Sequence, residues 1–289
     1  MQVDVFSAQL FAGNPLAVVL DAAALDTAQM QRIARWTNLS ETAFLLPPTQ
    51  VGADYRVRIF TPRQELPFAG HPSVGSAWVA LESGMLRADK TQMVQECAAG
   101  LLPVRIDGQG PERKIHVQAP AASIRHCTGE VTARLSAALQ VTVNGANLRE
   151  VDNGPRWLVC DLDDGNVVRA LHPQMPALAA LCVDCSMIGL CVFGHERDGT
   201  AAMAVRAFCP ADGIPEDPVT GSANAAIAAY LQSCGTLLDY GHRYRASQGR
   251  EVGRDGYVDV CVDAVTGTIS IGGACCSGVR GHLQLAIQA

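Results

Sequence analysis

The chain has 289 residues, of which 48% are hydrophobic and 17% are charged, so it can bury a large core, favours two domains over one and is not disordered. Its net charge of −6, without a cluster of Lys and Arg, argues against a nucleic-acid surface. No apolar run approaches the roughly 18 residues that a membrane span needs.

Alternating apolar residues predict strands throughout the first half, and the first strand begins at Met1 with no signal peptide before it. The predicted strands cover residues 1–6, 16–20, 55–61, 93–97, 101–106 and 114–118, together with the stretch LSETAFLL. Asp26 or Thr27 caps a predicted helix that runs to Trp36. Without a signal peptide or a membrane span, a cytoplasmic protein is expected.

A helix of small residues is predicted from Gly70 to Gly84, after the Pro-rich turn TPRQELPFAG. His71 stands at its start, where the helix dipole disfavours the imidazolium and keeps the ring neutral. A histidine in a turn can also bond its neighbours without a catalytic role, and for an isolated residue that interpretation would be preferred. Its place in one of two matching motifs favours function.

The second half repeats the order of the first after a connector at 120–123. Helices are predicted at 129–139 and 173–181, and strands at 148–151, 157–162, 187–193, 202–208, 244–248, 257–262, 268–271 and 283–287. Four paired landmarks, including Gly70 and Gly221, recur at offsets of 145 to 151 residues. A near-constant offset indicates a duplicated fold, in which the cleft between the halves is the natural ligand site.

The second motif, RAFCPADGIPEDPVTGSANAAIAAYL, consists of a strand, a turn rich in Pro, Gly and acid, and a small-residue helix from Gly221. Thr220 or Ser222 can cap this helix, and exposed amides at a helix start suit an anion. Asp217 lies just upstream, as either a catalytic carboxylate or a structural cap. The adjacent Glu216 competes with it for the role.

Both motif helices lack a polar face, so each is expected to be enclosed by a rolled sheet and to present only its N-terminus to the cleft. Glu41 lies among apolar residues in the predicted strand LSETAFLL. Apolar surroundings raise the pKa of a carboxyl group, which makes Glu41 a candidate proton shuttle. A position on the exposed face of an edge strand is equally compatible with the spacing.

Eleven cysteines at irregular spacing in a long chain indicate reduced, buried thiols rather than a disulfide scaffold. Cys182 and Cys185 form a lone CxxC, for which zinc binding or redox chemistry is the minor alternative. The sequence contains no GxSxG, GxGxxG or GxxxxGK[ST] motif and no convincing metal spacing. The predicted chemistry is therefore proton transfer by side chains, with no cofactor and no metal.

Long motifs resemble the PhzF-like phenazine-biosynthesis isomerase family, within the diaminopimelate epimerase and proline racemase superfamily. The matching pieces are VDVFSAQLFAGNPLAVVL, LSETAFLL, RIFTPRQELPFAGHPSVGSA, NGPRWLV, VRAF, GIPEDPVTGSANAA and the late strands ending in IGG and GHLQL. They occur in the family's order and span the chain from Met1 to near its end.

The resemblance implies an α+β, diaminopimelate-epimerase-like fold of two pseudo-repeated halves, each a mostly antiparallel rolled sheet around a central helix. The expected halves are residues 1–122 and 123–289, and the strand near 280–289 can pack against the first half. The implied catalytic residues are Glu41, His71 and Asp217. The implied substrate-binding residues are Ser40, Gly70, Gly221 and Ser222.

A small anionic carboxylate is the implied substrate, and a homodimer the implied assembly, since closed pairs are the commonest oligomers. Epimerases and racemases of the superfamily use a thiol in each helix-opening motif, but neither motif here carries Cys at that place. A single carboxyl group that moves a proton between two carbons on one face of the substrate is therefore favoured. A non-catalytic carboxylate-binding protein and a racemase using another cysteine remain as alternatives.

Overall fold

The computed structural model describes residues 1–197 and 199–284, and within them the chain forms seventeen strands and seven α-helices. The strands are β1 (Gln2–Val5), β2 (Asn14–Val19), β3 (Thr42–Leu46), β4 (Tyr55–Phe60), β5 (Glu65–Leu66), β6 (Gln92–Cys97), β7 (Gly100–Asp107), β8 (Lys114–Gln118), β9 (Ser123–His126), β10 (Leu148–Asp152), β11 (Arg156–Asp164), β12 (Gly189–His195), β13 (Met203–Cys209), β14 (Ile214–Asp217), β15 (Arg243–Gln248), β16 (Gly256–Val262) and β17 (Ile269–Val279). The helices are α1 (Thr27–Thr37), α2 (Gly70–Glu82), α3 (Gly129–Leu139), α4 (Gly165–Arg169), α5 (Met175–Asp184), α6 (Gly221–Cys234) and α7 (Leu237–Tyr240). In this part of the chain no helix has the length and apolarity to cross a membrane.

Seven strands of the first half and β17 of the second half close into a ring around α2. Backbone pairing runs from β17 through β1, β2, β3, β4, β6, β7 and β8 and returns to β17. Most of these pairs are antiparallel, and the exceptions are β2 with β3 and β4 with β6. The predicted rolled, mostly antiparallel sheet around a central helix is confirmed for this half.

The second half repeats this pairing around α6. Strands β9, β10, β11, β12, β13, β15, β16 and β17 pair in that order, and the parallel pairs β11 with β12 and β13 with β15 occupy the same places as those of the first half. Strand β17 pairs with β16 of its own half and then with β1 and β8 of the other. The predicted duplication is thus present in the backbone, while the boundary near residue 122 stays a prediction.

Continuous apolar runs in the strands reflect burial on both faces, which is usual where helices cover a sheet. In β3, Ala43 and Leu45 face the inner core around α2, whereas Phe44 and Leu46 pack with α1 on the outside. Strands β12 and β13 divide their side chains in the same way between the inner core and an outer layer formed by α3 and α5.

The two central helices are buried on every side, as their lack of a polar face predicted. Gly75 of α2 is essential to this packing because a Cβ there would lie 2.6 Å from Leu16 Cδ2 and 2.8 Å from Val5 Cγ2. Leu16 and Val5 are fully buried, so they have no room to retreat. The helix therefore sits directly on the strands at this point.

Several predicted element bounds are wrong. Ser40 and Glu41 precede β3 instead of lying in it, and β2 begins at Asn14, two residues before the predicted start of this strand at residue 16. The short strands β5, β9 and β14 were not predicted, because two to four residues give too little alternation to detect. The strand predicted at 283–287 lies outside the described residues from 285 onward, and residues 281–284 are not in a strand.

We expect Gly75→Val to lower the free energy of unfolding by about 1–3 kcal/mol, because overpacking a closed core costs this much. Gly129→Val is the matched control, since a Cβ at Gly129 meets nothing within 4 Å, and such a surface change stays within roughly 0.5 kcal/mol. Urea unfolding of both variants measures the difference. Equal stabilities would show that α2 does not pack as closely as described.

Candidate active site

The N-termini of the two central helices meet between the halves. A Cβ added to Gly70, the first residue of α2, would lie 3.7 Å from the Cα of Gly221, the first residue of α6. A Cβ added to Gly221 would lie 3.0 Å from Ile271 Cδ1, 3.3 Å from Phe6 Cζ and 3.5 Å from the backbone nitrogen of His71. A Cβ at Gly221 would therefore be tightly packed, whereas one at Gly70 would make ordinary van der Waals contact with Gly221. The two helix starts are in contact, so the two predicted motifs lie at one place in the structure.

Neither helix has a side-chain cap at this junction within the described residues. In α2 the first helical bond runs from the Ser73 amide to the Ala69 carbonyl, which leaves the amides of Gly70 and His71 ahead of it. In α6 the corresponding bond runs from Asn224 to Thr220. The prediction that Thr220 or Ser222 caps α6 is wrong, because the Thr220 hydroxyl donates to Asp217 instead, at 2.5 Å.

Glu41 and His71 face each other beside these helix ends. Glu41 Oε2 lies 3.6 Å from His71 Nε2, which is too far for a hydrogen bond, and both atoms are buried without a partner among the described residues. Burial raises the pKa of Glu41 to about 7. The nearby Ser40 hydroxyl offsets part of this rise, although it makes no hydrogen bond of normal geometry.

His71 is neutral at physiological pH. Burial lowers its pKa to about 4, and the charge of Asp217 opposes this shift only in part. A neutral imidazole has one nitrogen that donates and one that accepts a hydrogen bond. The ring can therefore hydrogen-bond a neighbouring group without bringing a positive charge into the site. Its neutrality was predicted from the helix dipole, whereas burial is the cause in the structure.

Asp217, the last residue of β14, completes the cluster. Its Oδ2 accepts from the Thr220 hydroxyl and its Oδ1 accepts from Asn14 Nδ2 at 3.1 Å. Burial raises the pKa of Asp217 to about 6, whereas the proximity of His71 and these two hydrogen bonds lower it. The three predicted catalytic residues thus lie in one largely buried cluster, although they come from positions 41, 71 and 217 of the chain.

The competition between Glu216 and Asp217 is resolved by an ion pair. Glu216 accepts two hydrogen bonds from the Arg206 guanidinium, at 2.9 and 2.7 Å, and both side chains are buried. Successive side chains of a strand point to opposite faces, so Asp217 faces the cluster while Glu216 faces Arg206. Asp217 is therefore the carboxylate available to the site.

Three polar residues of the site carried no predicted role. Asn14 bonds Asp217 and the Val219 carbonyl, and Gln248 bonds the Thr220 backbone and side chain as well as the Asp217 carbonyl. Asn153 donates to the Ser222 carbonyl, at 2.9 Å. The sequence did offer one signal for such a role, namely an uncharged amide next to an apolar run, such as Asn14 before LAVVL. An amide at such a position is buried only if it has hydrogen-bond partners.

The eleven cysteines are all unpaired in the described residues. Burial raises the pKa of the Cys209 thiol well above its usual range, and it raises that of Cys182 in the CxxC pair to about 11. Thiols with such pKa values are protonated at neutral pH and poorly nucleophilic. The first positions of α2 and α6 are occupied by Gly70-His71 and Gly221-Ser222, so no thiol stands at either helix start.

The sequence is similar to a known protein family and to several of its members. Residues 3–276 match the PhzC-PhzF family, described as phenazine biosynthesis-like protein. The chain is 38% identical to antisense-enhancing sequence 1 of Schizosaccharomyces pombe, covering 91% of this chain and 89% of that protein. It is 36% identical to trans-2,3-dihydro-3-hydroxyanthranilate isomerase of Pseudomonas aeruginosa, covering 87% and 86%.

The fold is similar to those of solved structures. A Bacillus anthracis phenazine biosynthesis protein of the PhzF family superposes with a TM-score of 0.81 at 26% identity, over 95% of this chain and 94% of that one. A probable proline racemase from Agrobacterium radiobacter K84 superposes with a TM-score of 0.70 at 16% identity, over 100% and 92%, which shows the diaminopimelate-epimerase-like fold alone. The chain belongs to the PhzF family of phenazine biosynthesis-like proteins, as an isomerase.

Proposed function

We propose that this isomerase moves a proton between two carbons of a small carboxylated substrate, with Glu41 as the group that carries the proton and without a cofactor. The observation that carries the proposal is the gap between Glu41 Oε2 and His71 Nε2. Both atoms are buried, 3.6 Å apart and unpartnered among the described residues. Buried polar atoms are normally satisfied, so a substrate group that hydrogen-bonds both is the natural occupant.

The amides at the two helix starts supply the anion site. Gly70, Gly221 and Ser222 stand at helix N-termini that carry partial positive charge and no side-chain cap. A substrate carboxylate held there would place its neighbouring carbon beside the cluster of Glu41, His71 and Asp217. As the proton leaves that carbon, negative charge develops on the carboxylate and the amides stabilise it.

The pKa of Glu41 suits a group that both takes and returns a proton. At a pKa of about 7, the carboxyl populates both protonation states near neutral pH, which is the optimum for general acid–base catalysis. The carboxylate removes the proton from one carbon and the resulting carboxylic acid delivers it to another on the same face. We assign His71 and Asp217 to orienting the substrate and relaying protons, and Ser40 to binding it.

A racemase that uses two thiols is disfavoured by the protonated, buried state of Cys209 and by the absence of Cys at the helix starts in the described structure. A carboxylate-binding protein without turnover would keep the same anion site. It would, however, gain nothing from a buried, ionisable Glu41, because an ionised carboxylate opposes the binding of another. A cytoplasmic homodimer stays a prediction.

We expect Glu41→Gln to reduce the incorporation of solvent deuterium into the substrate by at least about 10²-fold, the usual contribution of a general base. The first probe is trans-2,3-dihydro-3-hydroxyanthranilate, followed by a panel of small carboxylated dienes and amino acids, read by mass spectrometry. Glu130→Gln, at an exposed position on α3, is the control and should exchange like the wild type. Unchanged exchange in Glu41→Gln would disprove the assignment.

The pH dependence of exchange follows from the same carboxyl group. Because Glu41 must lose its proton before it can act as a base, kcat/KM should rise with pH around a midpoint near 7. His71 should add no limb above pH 6, since its pKa is about 4. A profile that falls between pH 6 and 8 would contradict a Glu41 base.

Stability provides a test that needs no substrate. Burial raises the pKa of Glu41 from 4.5 to about 7, so its ionisation destabilises the folded state fully above about pH 7 and not at all below pH 4.5. Glu41→Gln should therefore stabilise the protein by about 3 kcal/mol more at pH 8 than at pH 4.5. Urea unfolding at both pH values measures this difference. An equal effect of the substitution at the two pH values would mean that Glu41 titrates normally.

A further inference from the structure

Arg206 links the strand that bears Asp217 to two other elements of the second half. From β13, its guanidinium donates two hydrogen bonds to Glu216 of β14. Its Nη1 also donates to backbone carbonyl oxygens at the end of α4 and just after it, the shortest bond being 2.7 Å to Leu171. The side chains of Arg206 and Glu216 are only 7% and 6% exposed, so the pair is shielded from solvent.

The first half contains the same arrangement at the equivalent place. Arg58 of β4 donates two hydrogen bonds to Glu65 of β5, at 2.7 and 2.6 Å. Each arginine also lies over the phenylalanine two residues later, Phe60 at 5.1 Å and Phe208 at 4.9 Å. In both halves the strand that bears the glutamate, β5 or β14, is short and is followed within a few residues by a central helix. The ion pair is thus a repeated element of the fold.

We propose that Arg206 is a positioning residue that, through Glu216 and β14, fixes the carboxylate of Asp217 in the site. This inference rests on the proposed function, in which Asp217 orients the substrate. It assigns no contact between Arg206 and the substrate. Its role is to hold the backbone on which Asp217 stands.

The backbone pairing of β14 explains why such a clamp is needed. Only two pairs, Ala207 with Asp217 and Cys209 with Ile214, join β13 to β14, and the register shifts between them. A short, irregular ladder fixes the direction of a strand poorly. A bidentate Arg–carboxylate pair adds two bonds of defined geometry, on the face of β14 opposite to Asp217.

Charge is a second reason for the pair. Glu216 is adjacent to Asp217, and an unpaired carboxylate there would raise the pKa of Asp217 and repel an anionic substrate. Arg206 neutralises Glu216 by direct contact, so the negative charge next to the site is compensated. Replacing Arg206 alone therefore both releases β14 and leaves the charge of Glu216 uncompensated. A double variant that also removes Glu216 is required to separate these two effects.

Four variants test the proposal: Arg206→Met, Arg206→Lys, the double variant Arg206→Met/Glu216→Leu, and the control Arg134→Met. The control removes an exposed ion pair between α3 and α5, two helices that bear none of the predicted site residues. The double variant removes both buried charges, and apolar replacements of a buried ion pair are commonly neutral for stability. It also removes the bonds from Arg206 Nη1 to the carbonyls at the end of α4 and just after it, as Arg206→Met alone does. Urea unfolding verifies that each variant is folded before any other measurement.

Two measurements follow on the folded variants. The first measurement is of kcat and KM for deuterium exchange. In the double variant we expect kcat/KM to fall by on the order of 10²-fold, because a small misplacement of a site residue has effects of this size. The second is the titration of the Asp217 carboxyl by ¹³C NMR. Its midpoint should rise in the double variant, because the bonds from Asn14 and Thr220 that lower its pKa are weakened. Arg206→Lys keeps the positive charge but loses the bidentate geometry of the guanidinium. Its kcat/KM and its Asp217 titration midpoint should therefore lie between those of the wild type and of Arg206→Met.

A folded double variant with wild-type exchange, or with an unchanged Asp217 titration, would overturn the proposal. The titration needs no substrate, so it also separates this inference from the proposed function. If Glu41→Gln exchanges like the wild type but the Asp217 midpoint still moves in the double variant, the proton-transfer proposal fails while the positioning role of Arg206 stands.

Discussion

The structure depends on bringing two helix N-termini together in a buried junction. Each helix start carries partial positive charge, so the approach of Gly70 to Gly221 would be unfavourable without negative charge nearby. Glu41 and Asp217 lie beside the junction, and helix-start amides without a side-chain cap in the described residues suit an anion. The electrostatics of the fold therefore favour the proposed anion site between the halves, and the absence of a side chain at Gly221 helps the helix starts to approach closely.

Burial of the same junction sets the protonation of its side chains. It moves the pKa of Glu41 to about 7 and that of Asp217 to about 6, but it moves that of His71 down to about 4. One physical cause thus yields carboxyl groups that titrate near neutrality around an imidazole that stays neutral. The hydrogen bond from Asn14 to Asp217 then joins the two halves across the cluster, whereas that from Thr220 lies within the second half. The geometry of the site therefore depends on how the halves are held together.

Much of this arrangement could be predicted from sequence, because its signals are local. The small-residue helices begin at Gly70 and Gly221 as predicted, and most of the strands around them were predicted from their apolar residues. The bond between Asn14 and Asp217 joins residues 203 positions apart, and no local pattern reveals such a contact. The Thr220 hydroxyl also took a different partner from the predicted one, since the nearby carboxylate competes with the helix amides. The choice of Asp217 over Glu216 likewise depends on Arg206, whose pairing becomes visible only once β13 and β14 are adjacent.

The most direct test of the central claim is a crystal structure of the protein with a non-reactive carboxylate analogue of a substrate that supports exchange. The account predicts that the carboxylate accepts hydrogen bonds from the amides of Gly70, Gly221 and Ser222, with the neighbouring carbon against the Glu41 carboxyl group. A ligand bound away from the helix N-termini, or bound there with Glu41 turned away from that carbon, would contradict it.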